Sequence, residues 1–169
     1  DDLEPKNIHR EHPTPIAKAV APRRYLPKSE GEEVAVNGRK LTLTNLDKVL
    51  WPEEGYTKRD LISYYRGIAP LILPYLVDRP ESMHRHPNGI AGESFFQKDV
   101  AGVSGGSRAP AWAETLKVSD EPDAETYLLC QDEATLVWMA NLGCIELNPW
   151  SSRRGSIDRP DYMIIDLDP

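Results

Sequence analysis

Apolar and polar positions recur along this chain in blocks, and each block predicts an element. Val34-Ala35-Val36 and Leu41-Thr42-Leu43 flank Asn37-Gly38, which supplies the two positive φ angles of a tight turn and so predicts a β-hairpin. Thr57-Lys58-Arg59-Asp60 reads as a capping-box start, and Leu61, Ile62, Tyr64, Tyr65, Ile68, Leu71, Ile72 and Tyr75 follow at helical spacing. Pro70 and Pro74 predict a kink or an end near Ala69, with a second short helical piece after it. A second hairpin is expected from Glu81 to His86, Asn88-Gly89 and Ser94 to Lys98. Further strands are expected at Leu116 to Val118 and Thr126 to Gln131. Asp132 caps a helix through Trp138 to Asn141 that Gly143 stops, and Cys144 to Leu147 reads as another strand. Strands outnumber helices, so the class is α/β or α+β: a mixed or antiparallel sheet with flanking helices.

The most informative block is the last, Asp161-Tyr162-Met163-Ile164-Ile165-Asp166-Leu167-Asp168, which predicts a buried strand. Alternation puts Asp166 and Asp168 on one face. Two carboxylates about 5 Å apart at a dielectric of about 20 repel by roughly 3 kcal/mol, so both stay ionised only beside a cation. Oxygen donors suit Mg²⁺ or Mn²⁺. The competing expectation is an ordinary strand end, with solvated acids and Pro169 as the stop.

At 169 residues the chain has the length of one domain with a real core, and 28% charged and 40% hydrophobic residues are those of a globular protein. Residues 1–32 contain five prolines and little periodicity, which predicts a linker or arm from an upstream module, with the folded part from residue 33 to residue 169. No apolar run reaches the length of a membrane span and the start is no signal peptide, so a cytoplasmic location is expected. Cys130 and Cys144 fall in apolar runs and read as core thiols. The net charge of −7 argues naively against nucleic acid, but residues 1–28 carry +2 and residues 29–169 carry −9. Seven acids against one base between Glu114 and Glu133 account for much of that, leaving basic sites elsewhere free to act locally.

Lys48, and Lys58 at the start of the long helix, are placed to grip one phosphate, aided by the helix dipole and the free N–H groups of its first turn. Taken singly, each is an ordinary surface charge. Phe95-Phe96 puts adjacent aromatics on opposite strand faces, one for the core and one for stacking on a base; core for both is the plainer expectation. In His84-Arg85-His86, alternation sends Arg85 away from the histidines. Two histidines at i, i+2 with no cysteine partner make a poor zinc site, so phosphate contact by Arg85 is the preferred reading. Asn148 either hydrogen-bonds a sugar or phosphate or starts the turn before Pro149.

In order, Leu43 to Pro52, Tyr56 to Leu61 with Tyr64-Tyr65, Pro87 to Ile90 with Phe95 to Lys98, Trp138 to Leu142 with Glu146 to Trp150, and Asp161 to Pro169 resemble the polymerase domain of bacterial ligase D, within the archaeo-eukaryotic primase superfamily. The resemblance implies a template-directed nucleotidyltransferase that fills gaps and adds nucleotides, ribonucleotides by preference, at DNA double-strand breaks in non-homologous end joining. It implies Asp166 and Asp168 as catalytic residues and metal ligands for two Mn²⁺ or Mg²⁺ ions, with a nucleoside triphosphate as substrate. It implies Lys48 and Lys58 as ligands of the 5′-phosphate across the gap, and Phe95 and Phe96 beside the template and nascent base pair. Nucleotide or phosphate contacts follow more weakly for Arg85, Lys98 and Asn148, where many relatives carry histidine at the last position. The implied partners are recessed 5′-phosphorylated DNA ends and ligase and nuclease modules of the same polypeptide, with a Ku-type protein left open, in a bacterial nucleoid. A third carboxylate and further triphosphate-binding residues would follow residue 169. The expectation is therefore the N-terminal part of such a domain, poorly active alone. A non-catalytic 5′-phosphate-binding module is the alternative.

Overall fold

The computed structural model of the chain describes residues 31, 33–102, 106–119, 121–122 and 124–167. The expected linker at 1–32 therefore lies, apart from Gly31, outside the described residues, as does Asp168.

The chain opens with the expected hairpin, β1 (Glu33–Val36) against β2 (Arg39–Thr42), turned by Asn37 at φ 48° and Gly38 at φ 75°. A smaller hairpin that the periodicity does not announce follows, β3 (Val49–Trp51) with β4 (Tyr56–Thr57). Thr57 then caps α1 (Lys58–Leu76): its hydroxyl accepts the Asp60 N–H while the Asp60 carboxylate accepts the Thr57 N–H.

The expected end near Ala69 and separate second piece do not occur, and one 19-residue helix runs through both prolines. Pro70 and Pro74 lie one turn apart on the face that also exposes Leu71 and Tyr75. Ala69, Ile72, Leu73 and Leu76 keep the opposite face anchored in the core.

The main sheet is antiparallel and built around β5 (Pro80–Arg85). It pairs with β9 (Cys144–Pro149) through residues 81–85, with β6 (Phe95–Gln97) through 83–85, and with β8 (Thr126–Leu129) through 80–81. A strand has two edges, so β9 takes one while β6 and β8 divide the other; β7 (Thr115–Lys117) adds outside β8. Met83 and Leu128 face the core with Leu61, Ile62 and Tyr65 of α1 and with Leu136, Val137 and Met139 of α2 (Glu133–Asn141). Tyr65 ties α1 to β9 by donating its hydroxyl to the Ile145 carbonyl at 2.7 Å. The other face of β5 and β9 carries Ser82, His84, Glu146 and Asn148, paired across the two strands. That polar face positions the chemistry.

Candidate functional site

The lysine corner is assembled by backbone. Lys58 donates its N–H to the Lys48 carbonyl at 2.8 Å, so two residues ten apart become neighbours at the start of α1. The Arg59 N–H goes to the Leu46 carbonyl and the Asp60 N–H to the Thr57 hydroxyl. The first-turn amides expected to be free for an anion are therefore used, and what the helix offers a phosphate is its dipole and the lysines. Lys48 is exposed and its ammonium donates to Asn88 Oδ1 at 2.9 Å; Lys58 is buried and donates to the Thr44 carbonyl at 2.6 Å. Thr44 is held in turn by Asn141 at the end of α2, whose side chain accepts the Thr44 N–H and donates to the Thr42 carbonyl. The Asn88-Gly89 loop docks on the same corner through the Ile90 N–H and the Leu50 carbonyl. Gly89, at φ 87°, is required because a Cβ there would lie 2.8 Å from the Leu50 oxygen. Asn88, Thr44 and Asn141 are the residues that sequence reasoning missed here; their signal was only membership of the blocks that carry the resemblance.

The β5–β6 pair brings Arg85 to Phe95 and His84 to Phe96. Neither phenylalanine is core: both are exposed, Phe95 beneath the Arg85 guanidinium at 5.1 Å and Phe96 stacked on the His84 ring at 4.2 Å and 9°. Arg85 and the histidines do diverge as alternation requires. Arg85 is half-buried, bonded to Gln97 Oε1, Ser107 Oγ and the Leu142 carbonyl, and burial lowers its pKa from the ordinary guanidinium value. With Phe95, Phe96, Gln97 and Lys98 it lines an open cleft.

On the polar face, His84 Nδ1 lies 3.2 Å from one Glu146 oxygen and His86 Nε2 lies 3.4 Å from the other. These contacts lack hydrogen-bond geometry: His84 Nδ1 and both ring nitrogens of His86 are buried without a hydrogen-bond partner, each at a cost of about 1–3 kcal/mol. The His84 contact foremost, and then His86, holds the Glu146 carboxyl below its ordinary range. Asn148 lies exposed two residues along from Glu146.

The segment after β9 is pinned and then released. Asp161 receives Arg79 and Arg153, and the Arg79 bond foremost holds its carboxyl below the usual range. Arg79 also lies 4.6 Å from the Tyr162 ring. Beyond it the expected buried strand is absent. Residues 162–167 are irregular, with Met163 79%, Ile164 78%, Ile165 69% and Leu167 83% exposed. Alternating apolar residues become a strand only when a neighbour pairs with them, and no described strand does so. Asp166 is exposed. Among the described residues no group of three potential ligands gathers around it, so they do not by themselves build a two-ion centre.

A family profile described as the primase-polymerase domain of LigD matches residues 57–169, which takes in Lys58 and Asp166 and begins after Lys48. The chain is 34% identical over 132 residues to the multifunctional non-homologous end joining protein LigD of Mycolicibacterium smegmatis, covering 77% of this chain and 17% of that protein. It is 32% identical over 131 residues to the bifunctional LigD of Bacillus subtilis, covering 77% and 20%. Among solved structures, the polymerase domain of Mycobacterium tuberculosis ligase D in complex with DNA matches with a TM-score of 0.60 and 35% identity, over 67% of this chain and 38% of that one. The chain thus spans a fifth or less of these two LigD proteins. Sheet, helices and sequence agree, and the chain belongs to the LigD primase-polymerase domain family.

Proposed function

We propose that this chain contributes to template-directed nucleotidyl transfer at DNA double-strand break ends, filling gaps and adding nucleotides, ribonucleotides by preference, in non-homologous end joining. The observation that carries the reading is the lysine corner: a backbone hydrogen bond and three side-chain anchors set Lys48 and Lys58 side by side at the start of α1. Two lysines joined through their backbones at the positive end of a helix dipole suit a doubly charged terminal phosphate. Lys48 and Lys58 hold the 5′-phosphate of a recessed end, Phe95 and Phe96 offer exposed faces to template bases, and Arg85, Lys98 and Asn148 meet nucleotide or phosphate. Asp166 and Asp168 are the carboxylates for Mn²⁺ or Mg²⁺. A ligase module, a nuclease module and a Ku-type end-binding protein are the proposed partners.

One observation favours a second reading, a non-catalytic end-binding module: Asp166 is exposed, with no further ligands gathered around it among the described residues. Extension of a gapped primer in Mn²⁺ separates the two. Template-dependent addition that Asp166→Asn and Asp168→Asn each abolish, with end binding retained, supports the polymerase. End binding without extension by a polymerase domain of the length of the solved one that carries this sequence supports the module.

A further inference from the structure

We propose that His84, His86 and Glu146 form a three-ligand site for a divalent transition-metal ion, with Zn²⁺ the best match, that clips β5 to β9. His84 stands in β5 and His86 directly after its last residue, and Glu146 of β9 is the cross-strand partner of His84. The donor atoms of all three lie within 4.8 Å of one another. An ion bonded at about 2.0–2.1 Å to each tetrahedral ligand spaces those ligands about 3.3 Å apart. His84 Nδ1 lies 3.2 Å from one Glu146 oxygen and His86 Nε2 lies 3.4 Å from the other, so the carboxylate stands at about that spacing from each imidazole.

Three further observations point to an ion rather than to a plain ion pair. His84 Nδ1 and His86 Nε2, the nitrogens nearest Glu146, are buried with no hydrogen-bond partner, and a metal lone-pair bond satisfies such a nitrogen. His86 is 5% exposed, so water does not serve its ring. His84 Nε2 lies 2.9 Å from Ser94 Oγ, which suits an imidazole that binds metal through one nitrogen and donates the other N–H to an oxygen that fixes its orientation. Glu146 is half-exposed and leaves a fourth position for water. Two imidazoles and one carboxylate prefer Zn²⁺ to Mn²⁺ and Mg²⁺, whereas the oxygen donors of Asp166 and Asp168 prefer the latter. The site does not depend on whether the chain transfers nucleotides.

The test is a competition titration of the tag-free, chelator-stripped chain with Zn²⁺ against a chromophoric chelator, repeated with Co²⁺ and read by visible absorption. One equivalent bound, an intense low-coordinate Co²⁺ band, and a loss of affinity of about a hundredfold or more in both His84→Gln and Glu146→Gln are expected. Mn²⁺ in large excess leaves the Zn²⁺ in place. The other two histidines, His9 and His12, serve as the control, and their conversion to glutamine leaves binding unchanged. His86→Gln is scored only where circular dichroism reports a native fold; the two less buried positions decide otherwise. Binding that survives His84→Gln and Glu146→Gln, that is lost with His9 and His12, or that the unsubstituted chain lacks overturns the site.

Discussion

Both carboxylate oxygens of Glu81 are buried without a hydrogen-bond partner on the core side of β5. Burial pushes its pKa up to about 8, with Arg79 pulling less strongly downward. A folded pKa above the unfolded one means that the native state holds the proton more tightly. Stability is therefore full below about pH 4.5 and is lost as pH rises toward about 8, with a slope approaching about 1.4 kcal/mol per pH unit. Glu81→Gln removes that fall: urea midpoints from pH 5 to pH 8.5 stay flatter than in the unsubstituted chain, and parallel pH profiles would contradict the buried proton. At this scale the sequence was legible where a residue's neighbours lie along the chain. Cys130 and Cys144 sit in apolar runs and are buried free thiols, both raised in pKa chiefly by burial. It was illegible where neighbours arrive from afar: Asn88 reaches Lys48 across 40 residues, and Glu146 meets His84 only through the register of β5 against β9.

Elements were legible when their signals are local. The Thr57 capping box, the Asn37-Gly38 turn and the Asp132 cap each rest on residues within one turn of one another. Two readings failed because the deciding factor is tertiary. Pro70 and Pro74 do not break α1 because its opposite face is held by the core, and residues 162–167 form no strand because nothing described pairs with them. The junction between the end of α2 and the end of β2 with the loop after it is the contact on which the lysine corner rests. Asn141 supplies one donor and one acceptor to Thr42 and Thr44, and Thr44 then receives Lys58. Asn141→Ala is expected to cost about 0.5–1.5 kcal/mol in urea unfolding, with an unchanged denaturant slope, because it removes two hydrogen bonds to exposed backbone groups. A loss below about 0.5 kcal/mol would mean that water replaces the side chain freely.

The whole molecule joins a strongly acidic chain to a local basic corner. Its net charge of −7 opposes DNA at long range, so the proposed end recognition rests on close contacts rather than on a broad basic field. None of the described helices is long and apolar enough to cross a membrane. The LigD relatives act in non-homologous end joining by name, and the solved polymerase domain is held on DNA; the stretch that matches the family profile, residues 57–169, contains Lys58 and the β5–β6 cleft. The direct measurement is the affinity of this chain for a recessed duplex with and without a 5′-phosphate, at two salt concentrations, beside Lys48→Ala and Lys58→Ala. A preference of about tenfold or more for the phosphorylated end is expected, weakening with salt and removed by Lys48→Ala, whose exposed ammonium carries little of the fold. Lys58→Ala removes it too while lowering stability through the lost Thr44 bond. Equal affinity for both ends, in a chain shown to be folded, would contradict end recognition by the lysine corner.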